Sequence, residues 1–167
     1  GGVYSINVVG VLKQQVLPGY DLLANPFWTA TNTAGALFGA PSNGLALFTV
    51  GPDGFVANNY LSGWTDPEMI LSPGNGFIVH NPLSNPITLT FVGDIPQGAL
   101  GNPVGAGWSL KSSVKPQTGA LQTALNYPAV SDDIIVLRSV GQDNWFAYYS
   151  DGFIEFWDPF EPILAVG

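Results

Sequence analysis

Short apolar stretches with a period of two recur along this chain and predict β-strands. Two of them, GFIVH at residues 76–80 and ITLTFV at residues 87–92, flank the turn NPLSNP. Alternating runs around a turn rich in Asn and Pro are typical of a β-hairpin, so we expect these two strands to pair. Further strands are predicted, in chain order, at residues 3–12, 22–24, 45–50, 55–60, 134–137 and 145–149.

Two short helices complete the predicted elements. Thr31 and Asn32 are the candidate N-caps of a helix at residues 33–38, and Thr118 is the candidate N-cap of a helix at residues 120–125. Both residue types favour helix N-termini, because their side chains accept a hydrogen bond from a free backbone N–H. The chain is therefore predicted to be all-β, with one short helix in each half.

The second half of the chain repeats the order of the first. The motif FVG at residues 91–93 follows VVG at 8–10, GWSL at 107–110 follows GYDL at 19–22, and LAVG at 164–167 follows LSPG at 71–74. Eight such matches occur in order, a pattern typical of tandem duplication. We predict two sandwich-like β units, residues 1–86 and 87–167, with Tyr20 and Trp108 in equivalent buried sites.

Charged residues are scarce, and this narrows the classes of partner. Only 10% of the 167 residues are charged, and 4 basic against 12 acidic side chains give a formal net charge of −8. Nucleic acids and anionic membranes require clustered Lys and Arg, and the four basic residues form no cluster in the sequence. No apolar run approaches the 18 residues of a transmembrane helix, so no membrane span is predicted.

Composition also bears on location. A surface with few charges is covered by uncharged polar side chains or partly buried against neighbouring subunits. Cysteine is absent, which excludes disulfides and thiolate metal sites. A removed signal peptide explains a chain that begins at Gly1, and so does a cloning boundary. Together these features favour a secreted or cell-surface protein of a bacterium.

No cluster of residues predicts a reaction. His80 is the only histidine, and no nucleophile motif accompanies it. The carboxylates fall mostly in turns, where Asp bonds its own backbone. Asp151, Glu155 and Asp158 are near one another in sequence, but nothing distinguishes them from solvated turn charges. We predict no enzymatic activity, no cofactor and no metal site.

Aromatic residues are concentrated in the second half, between residues 145 and 160. On adjacent strands they would fall on both faces of a sheet, so we expect core packing to use about half of them. Exposed Trp and Tyr suit stacking on sugar rings and suit subunit contacts equally well. Trp145 and Trp157 are the candidates for stacking on a glycan.

The motifs SINVVG, LPGYDLLANP, GWTDP, LSPGNGFIV and ITLTFVGDIPQG together resemble those of uncharacterised secreted proteins from the Planctomycetes and Verrucomicrobia group of bacteria. The resemblance covers nearly the whole chain and includes the two-copy layout. It implies export and a β-rich fold, and it carries over no catalytic residue. In similar sequences the second copy continues past LAVG into another Gly-aromatic strand, whereas this sequence stops at Gly167.

The last expectation concerns that strand. We expect the second copy to present an unpaired sheet edge near Leu164 and Val166, and such an edge recruits another chain. The strand at residues 3–12 is expected to lack a partner in its own chain, so Tyr4, Ile6 and Val8 are candidate donor residues.

These expectations predict a structural subunit of an extracellular filament or surface assembly, which polymerises with copies of itself by head-to-tail strand donation. The alternative function is a secreted polysaccharide-binding module. The competing arrangements are an N-terminal strand folded back on its own second copy, and a C-terminal segment missing from the sequence.

Overall fold

A computed structural model describes residues 8–98, 100–139, 142–150 and 154–165. These residues are nearly all strand and turn, which confirms the all-β class. The strands and the helix are β1 (Val9–Val16), β2 (Gly19–Ala24), α1 (Ala34–Phe38), β3 (Ala46–Gly51), β4 (Gly54–Asn59), β5 (Gly76–Asn81), β6 (Ile87–Asp94), β7 (Gly119–Ala120), β8 (Ile134–Ser139), β9 (Gln142–Ser150), β10 (Glu155–Asp158) and β11 (Ile163–Leu164).

The chain forms two compact units, which divide between Pro116 and Gln117. This division does not coincide with the predicted repeat boundary after residue 86, because β6 pairs with β1 and its Phe91 packs in the core of the first unit. The boundary of the repeat remains a prediction.

The first unit is a sandwich of two antiparallel sheets. One sheet has the strand order β2-β5-β3-β4, and the other contains β1 and β6. Alternate residues of both sheets point inward, because successive side chains of a strand face opposite sides. They form one core, whose buried members are Val16, Leu23, Phe27, Ala34, Leu45, Leu47, Tyr60, Met69, Leu71, Phe77, Val79 and Phe91.

The predicted pairing of β5 with β6 is wrong. β5 pairs with β2 and β3, whereas β6 pairs with β1 in the facing sheet. The linking turn crosses between the sheets and is held by Asn81, whose Nδ2 donates to the carbonyl oxygens of Val16 and Asn85 at 3.1 and 3.0 Å. Two alternating strands satisfy the same pattern whether they lie side by side or face each other across a core.

In the β1–β6 ribbon, Gly10 lies directly opposite Gly93. The segment containing Phe27 and Trp28 crosses the ribbon here, and the backbones of Trp28 and Asp94 exchange two hydrogen bonds of 2.9 and 2.8 Å. A β-carbon on Gly10 would overlap the Phe27 ring, and one on Gly93 would overlap the Trp28 carbonyl. The two glycines are therefore required for close approach.

Helix α1 confirms the first predicted helix. The Thr33 side chain accepts a hydrogen bond from the Ala36 N–H, and the helix ends at Gly39, which has a positive φ of 54°. The predicted second helix is wrong. Residues 121–125 form turns, because the N–H groups of Ala124 and Asn126 bond backwards over four residues, whereas those of Leu125 and Tyr127 bond over five and six, so no two consecutive α-helical bonds form.

The second unit contains a three-stranded antiparallel sheet of order β10-β9-β8, together with the two-residue pair of β7 and β11. Its buried apolar core is small and consists of Leu121, Phe146, Tyr148 and Trp157. A unit of about 50 residues is marginally stable alone, because small domains bury a smaller share of their surface.

Candidate functional site

The hairpins β3–β4 and β8–β9 have the same register. The pairs that run from Ala46↔Asn59 to Gly51↔Gly54 recur as Ile134↔Ala147 to Ser139↔Gln142. Every pair is displaced by 88 residues (134 − 46 and 147 − 59).

Hydrogen bonds beyond the strands show the same displacement. Tyr60 and Leu45 are joined by a backbone bond of 2.9 Å, and so are Tyr148 and Asp133. The Gly44 N–H donates to the Tyr60 carbonyl at 2.8 Å, and the Asp132 N–H donates to the Tyr148 carbonyl at 3.0 Å. Identical bonds at a constant spacing support an internal duplication.

An aromatic pair follows each hairpin. Tyr60 and Trp64 have ring centroids 5.3 Å apart, and Tyr148 and Trp157 have centroids 5.1 Å apart. Three residues separate the first pair and eight separate the second, because β9 and β10 extend beyond the second pair. The two segments therefore reach the same aromatic contact through loops of different length.

The two hairpins differ at one edge. In the first unit β5 covers the outer edge of β3. In the second unit β8 is the edge of its sheet, and no strand among the described residues pairs with it on the side away from β9. Burial follows this difference: Ala46 is 4% exposed, whereas its counterpart Ile134 is 52% exposed. We call the side of Ile134–Ser139 that faces away from β9 the β8 edge.

The predicted donor strand is placed differently from the expectation. Tyr4 and Ile6 lie outside the described residues. The Val8 carbonyl accepts a hydrogen bond from the Ile95 N–H at 2.8 Å, and the strand that follows pairs along its whole length with β6. The expectation that residues 9–12 lack a partner in their own chain is therefore wrong.

The predicted acceptor residues lie at the end of the second unit. Leu164 belongs to β11, pairs with Gly119 and packs against the small core. Val166 lies outside the described residues. The unpaired edge is therefore found at β8, about thirty residues before the place where the sequence pattern put it.

An exposed apolar face covers the outside of the four-stranded sheet in the first unit. Strand register places seven uncharged side chains on this side, opposite the core. Tyr20 is 56% exposed and stacks on His80 with ring centroids 4.4 Å apart. We call this surface the aromatic face; its members are Tyr20, Leu22, Phe48, Val50, Phe55, Ile78 and His80.

The residues predicted from the sequence to stack on a glycan were Trp145 and Trp157. Trp157 is only 8% exposed, and its Nε1 donates to Gln122 Oε1 at 3.0 Å, so its ring lies in the core and is not available to a sugar. The side chain of Trp145 lies outside the described residues. The predicted burial of Tyr20 and Trp108 is also wrong, since Trp108 is 71% exposed and lies outside the strands.

The carboxylates with shifted pKa values have structural surroundings. Glu161 accepts backbone hydrogen bonds from Thr123 at 2.7 Å and from Gln122 at 2.6 Å, and these bonds, the one from Thr123 foremost, lower the pKa of its carboxyl group. Burial, together with a hydrogen bond to Asp133, raises the pKa of Tyr127 to about 12.

The suggested acid cluster offers no cleft. Glu155 and Asp158 lie on one short strand at an odd separation, so their side chains point to opposite faces. Asp151 lies outside the described residues. Among the residues that the structure describes, no group of three or more His, Asp or Glu side chains is arranged to hold a metal ion.

Comparisons with known proteins give no match: no family model, curated protein or solved structure corresponds to this chain. In the described part of the chain, no helix has the length and apolar character needed to cross a membrane.

Proposed function

We propose that this protein is a structural subunit of an extracellular filament or surface assembly of a bacterium, joined by β-strand addition at the β8 edge. The observation that supports this proposal most directly is the contrast between β3 and β8. One hairpin has a covering strand and the other, of the same register, has none among the described residues. An exposed sheet edge offers unpaired N–H and C=O groups to another chain.

The donor in this proposal is the segment before β1. Its sequence VYSIN, residues 3–7, follows the alternation of GFIVH in β5, with Tyr4 at the place of Phe77 and Ile6 at the place of Val79. Phe77 and Val79 are the fully buried apolar side chains of β5. Val8 already participates in the β1–β6 region, so the donor is limited to the first seven residues.

The reach of this segment is sufficient for exchange between subunits. Seven extended residues span about 23 Å at roughly 3.3 Å per residue. Donor and acceptor are different parts of the chain, so each contact is head-to-tail. Such contacts generate a filament unless the rotation between subunits closes a ring.

Composition supports an extracellular location for this assembly. Only 10% of the residues are charged, so few charges would have to be desolvated at a contact between copies, and the absence of cysteine means that the fold needs no disulfide. The exposed residues of β1, among them Val9 and Val11, add apolar surface that subunit packing would bury.

Deletion of residues 1–7 tests the proposal. We expect polymers of the full chain in negative-stain micrographs and in sedimentation, and a monomer after deletion. Ile6→Asp should also abolish polymers because it places a charge on the inward side of the donor, whereas Ser5→Asp, on the outward side, should leave them intact. Polymers that persist after deletion would exclude the N-terminal donor, and a monomeric full chain would exclude the assembly.

A second function, binding of a neutral polysaccharide, is favoured by the aromatic face. Tyr20 and Phe55 expose their rings on a surface without formal charge, and aromatic rings stack on the apolar faces of sugars. Tyr20→Ala should reduce retention on an insoluble glycan by about tenfold, the equivalent of about 1.4 kcal/mol. Trp28→Ala, an exposed Trp away from this face, is the matched control. Failure of the unmutated protein to bind any glycan would eliminate this function.

A further inference from the structure

The structure of β5 shows what kind of strand belongs beside a hairpin of this register. β5 lies between β2 and β3 and runs antiparallel to both. Its Phe77 and Val79 are fully buried, and Ile78 lies on the aromatic face. Phe77 packs edge-on against Phe38 of α1, with ring centroids 5.9 Å apart.

Each residue of β3 has its counterpart in β8, 88 residues later in the chain. Ala46, Leu47 and Phe48 pair with His80, Val79 and Ile78. Their counterparts Ile134, Ile135 and Val136 therefore form the main-chain site for an added strand.

Apolar side chains beside the β8 edge are less buried than those beside β3. Leu47 is fully buried, whereas its counterpart Ile135 is only partly buried against the small core. Leu125, in the turn that occupies the place of α1, is also only partly buried. A strand with an aromatic and an aliphatic residue on its inner side would cover the apolar side chains that β5 covers in the first unit.

We infer that the β8 edge is a binding site for one antiparallel strand of the β5 type, with an aromatic and a β-branched residue two positions apart on its inner side. This inference deepens the proposed function, on whose acceptor edge it rests. The occupant is the strand formed by residues 3–7 of a second copy, which carries this pattern as Tyr4 and Ile6.

The short connection between Leu71 and β5 in the first unit suggests a variant that tests this inference. Leu71 is followed by Ser-Pro-Gly and then by Asn75 and β5, and Leu164 is followed by Ala-Val-Gly167. A chain extended after Gly167 by the sequence of residues 75–82, NGFIVHNP, would present the β5 strand to the β8 edge at the spacing found in the first unit. The matched control carries Asp at the places of Phe77 and Val79 in the added segment.

Hydrogen exchange of the backbone amides in residues 134–136 is the decisive measurement. Successive N–H groups of β8 point alternately toward β9 and away from it. At the amides that point away, we expect exchange in the extended chain to be at least about tenfold slower than in the unextended monomer lacking residues 1–7, and we expect a higher melting temperature. The Asp control should show neither change. Equal exchange in the extended and unextended chains, or equal protection by the Asp control, would overturn the inference.

The same variants separate this inference from the proposed function. Slowed exchange in the extended chain supports the strand site even if the natural chain never polymerises, in which case only the filament proposal fails. Extension of the full chain should also abolish polymers, since the added strand occupies the site in cis. Polymers that continue to grow with β8 protected would show that the polymer contact lies elsewhere and would refute a second copy as the occupant.

Discussion

The β3–β4 and β8–β9 hairpins share register and flanking hydrogen bonds, yet one lies in a four-stranded sheet and the other in a sheet of three strands, with β8 at its edge. On the inner side, Leu47 of the first hairpin is fully buried, whereas its counterpart Ile135 in the second is only partly buried. The comparison shows that pairing within a hairpin is set locally, while burial depends on the strand that covers its edge. Two hairpins of the same register can therefore keep the same hydrogen bonds and differ in how much apolar surface they bury.

The two hairpins also differ in what fills the same position. Asn58 of β4 is fully buried and holds the following turn, since its Oδ1 accepts hydrogen bonds from the Thr65 hydroxyl and the Asp66 N–H, each at 2.9 Å. Its counterpart 88 residues later is Phe146, which is buried and contacts Phe160 edge-on. One backbone position thus supports a polar anchor in one unit and an aromatic core residue in the other.

The largest effect is expected at the paired positions Leu47 and Ile135. Leu47→Ala should lower the free energy of unfolding by about 2–5 kcal/mol, because it leaves a cavity in a closed core. Ile135→Ala should cost clearly less, since solvent already reaches this side chain. Urea denaturation of the two variants checks this difference, and equal losses would contradict the claim that the β8 edge is uncovered.

An intermediate effect is expected from Asn58→Ala. The substitution removes the fully buried amide of Asn58 and leaves the Thr65 hydroxyl and the Asp66 N–H without their acceptor, which should cost about 1–3 kcal/mol. Asn59→Ala, at the adjacent exposed position, should change stability by less than about 0.5 kcal/mol. Thermal denaturation of both variants compares them directly, and an equal effect at the two positions would argue against Asn58 as the anchor of the turn.

The smallest effect is expected from the pH dependence of Glu161. Because its folded-state pKa is lowered from 4.5, chiefly by the hydrogen bond from Thr123, its stabilisation is present above pH 4.5 and is lost as the pH falls through the lower folded-state value. The difference in melting temperature between the natural protein and Glu161→Gln should therefore be largest near pH 7 and should disappear in strong acid. A difference independent of pH would contradict this assignment.

Local pattern predicted much of the fold. The strands around the Pro52-Asp53 turn and the place of α1 follow directly from alternation, turn residues and capping chemistry, although the N-cap is Thr33 and not the predicted Thr31 or Asn32. The strand that pairs with β6 could not be predicted in this way. A period of two shows which side of a strand is buried, but it does not show which strand lies beside it. The exposure of Tyr20 was missed for a related reason: both faces of its sheet are apolar, so the pattern does not show which of them is covered.

The candidate edge could be predicted only in part. The sequence pattern predicted an unpaired edge near Leu164 and Val166, whereas among the described residues that edge lies at β8. The edge lies at β8 because the counterpart of β8 in the first unit, β3, has β5 as its neighbour in the sheet. About 25 residues separate β3 from β5 in the chain. No local signal carries such a pairing, and it becomes visible only when the strand order is known.

The glycine pair in the β1–β6 ribbon has a consequence for how a two-copy chain can arise. Gly10 and Gly93 occupy corresponding places in the VVG and FVG motifs, and they face each other across an antiparallel pair. Corresponding residues of two identical strands meet in this way across a two-fold axis, as in the isologous interface of a homodimer. A polypeptide with a single copy would make the same ribbon with a second molecule, at the cost of bringing two molecules together. Joining the copies in one chain converts that association into an intramolecular step with an effective concentration set by the connecting segment.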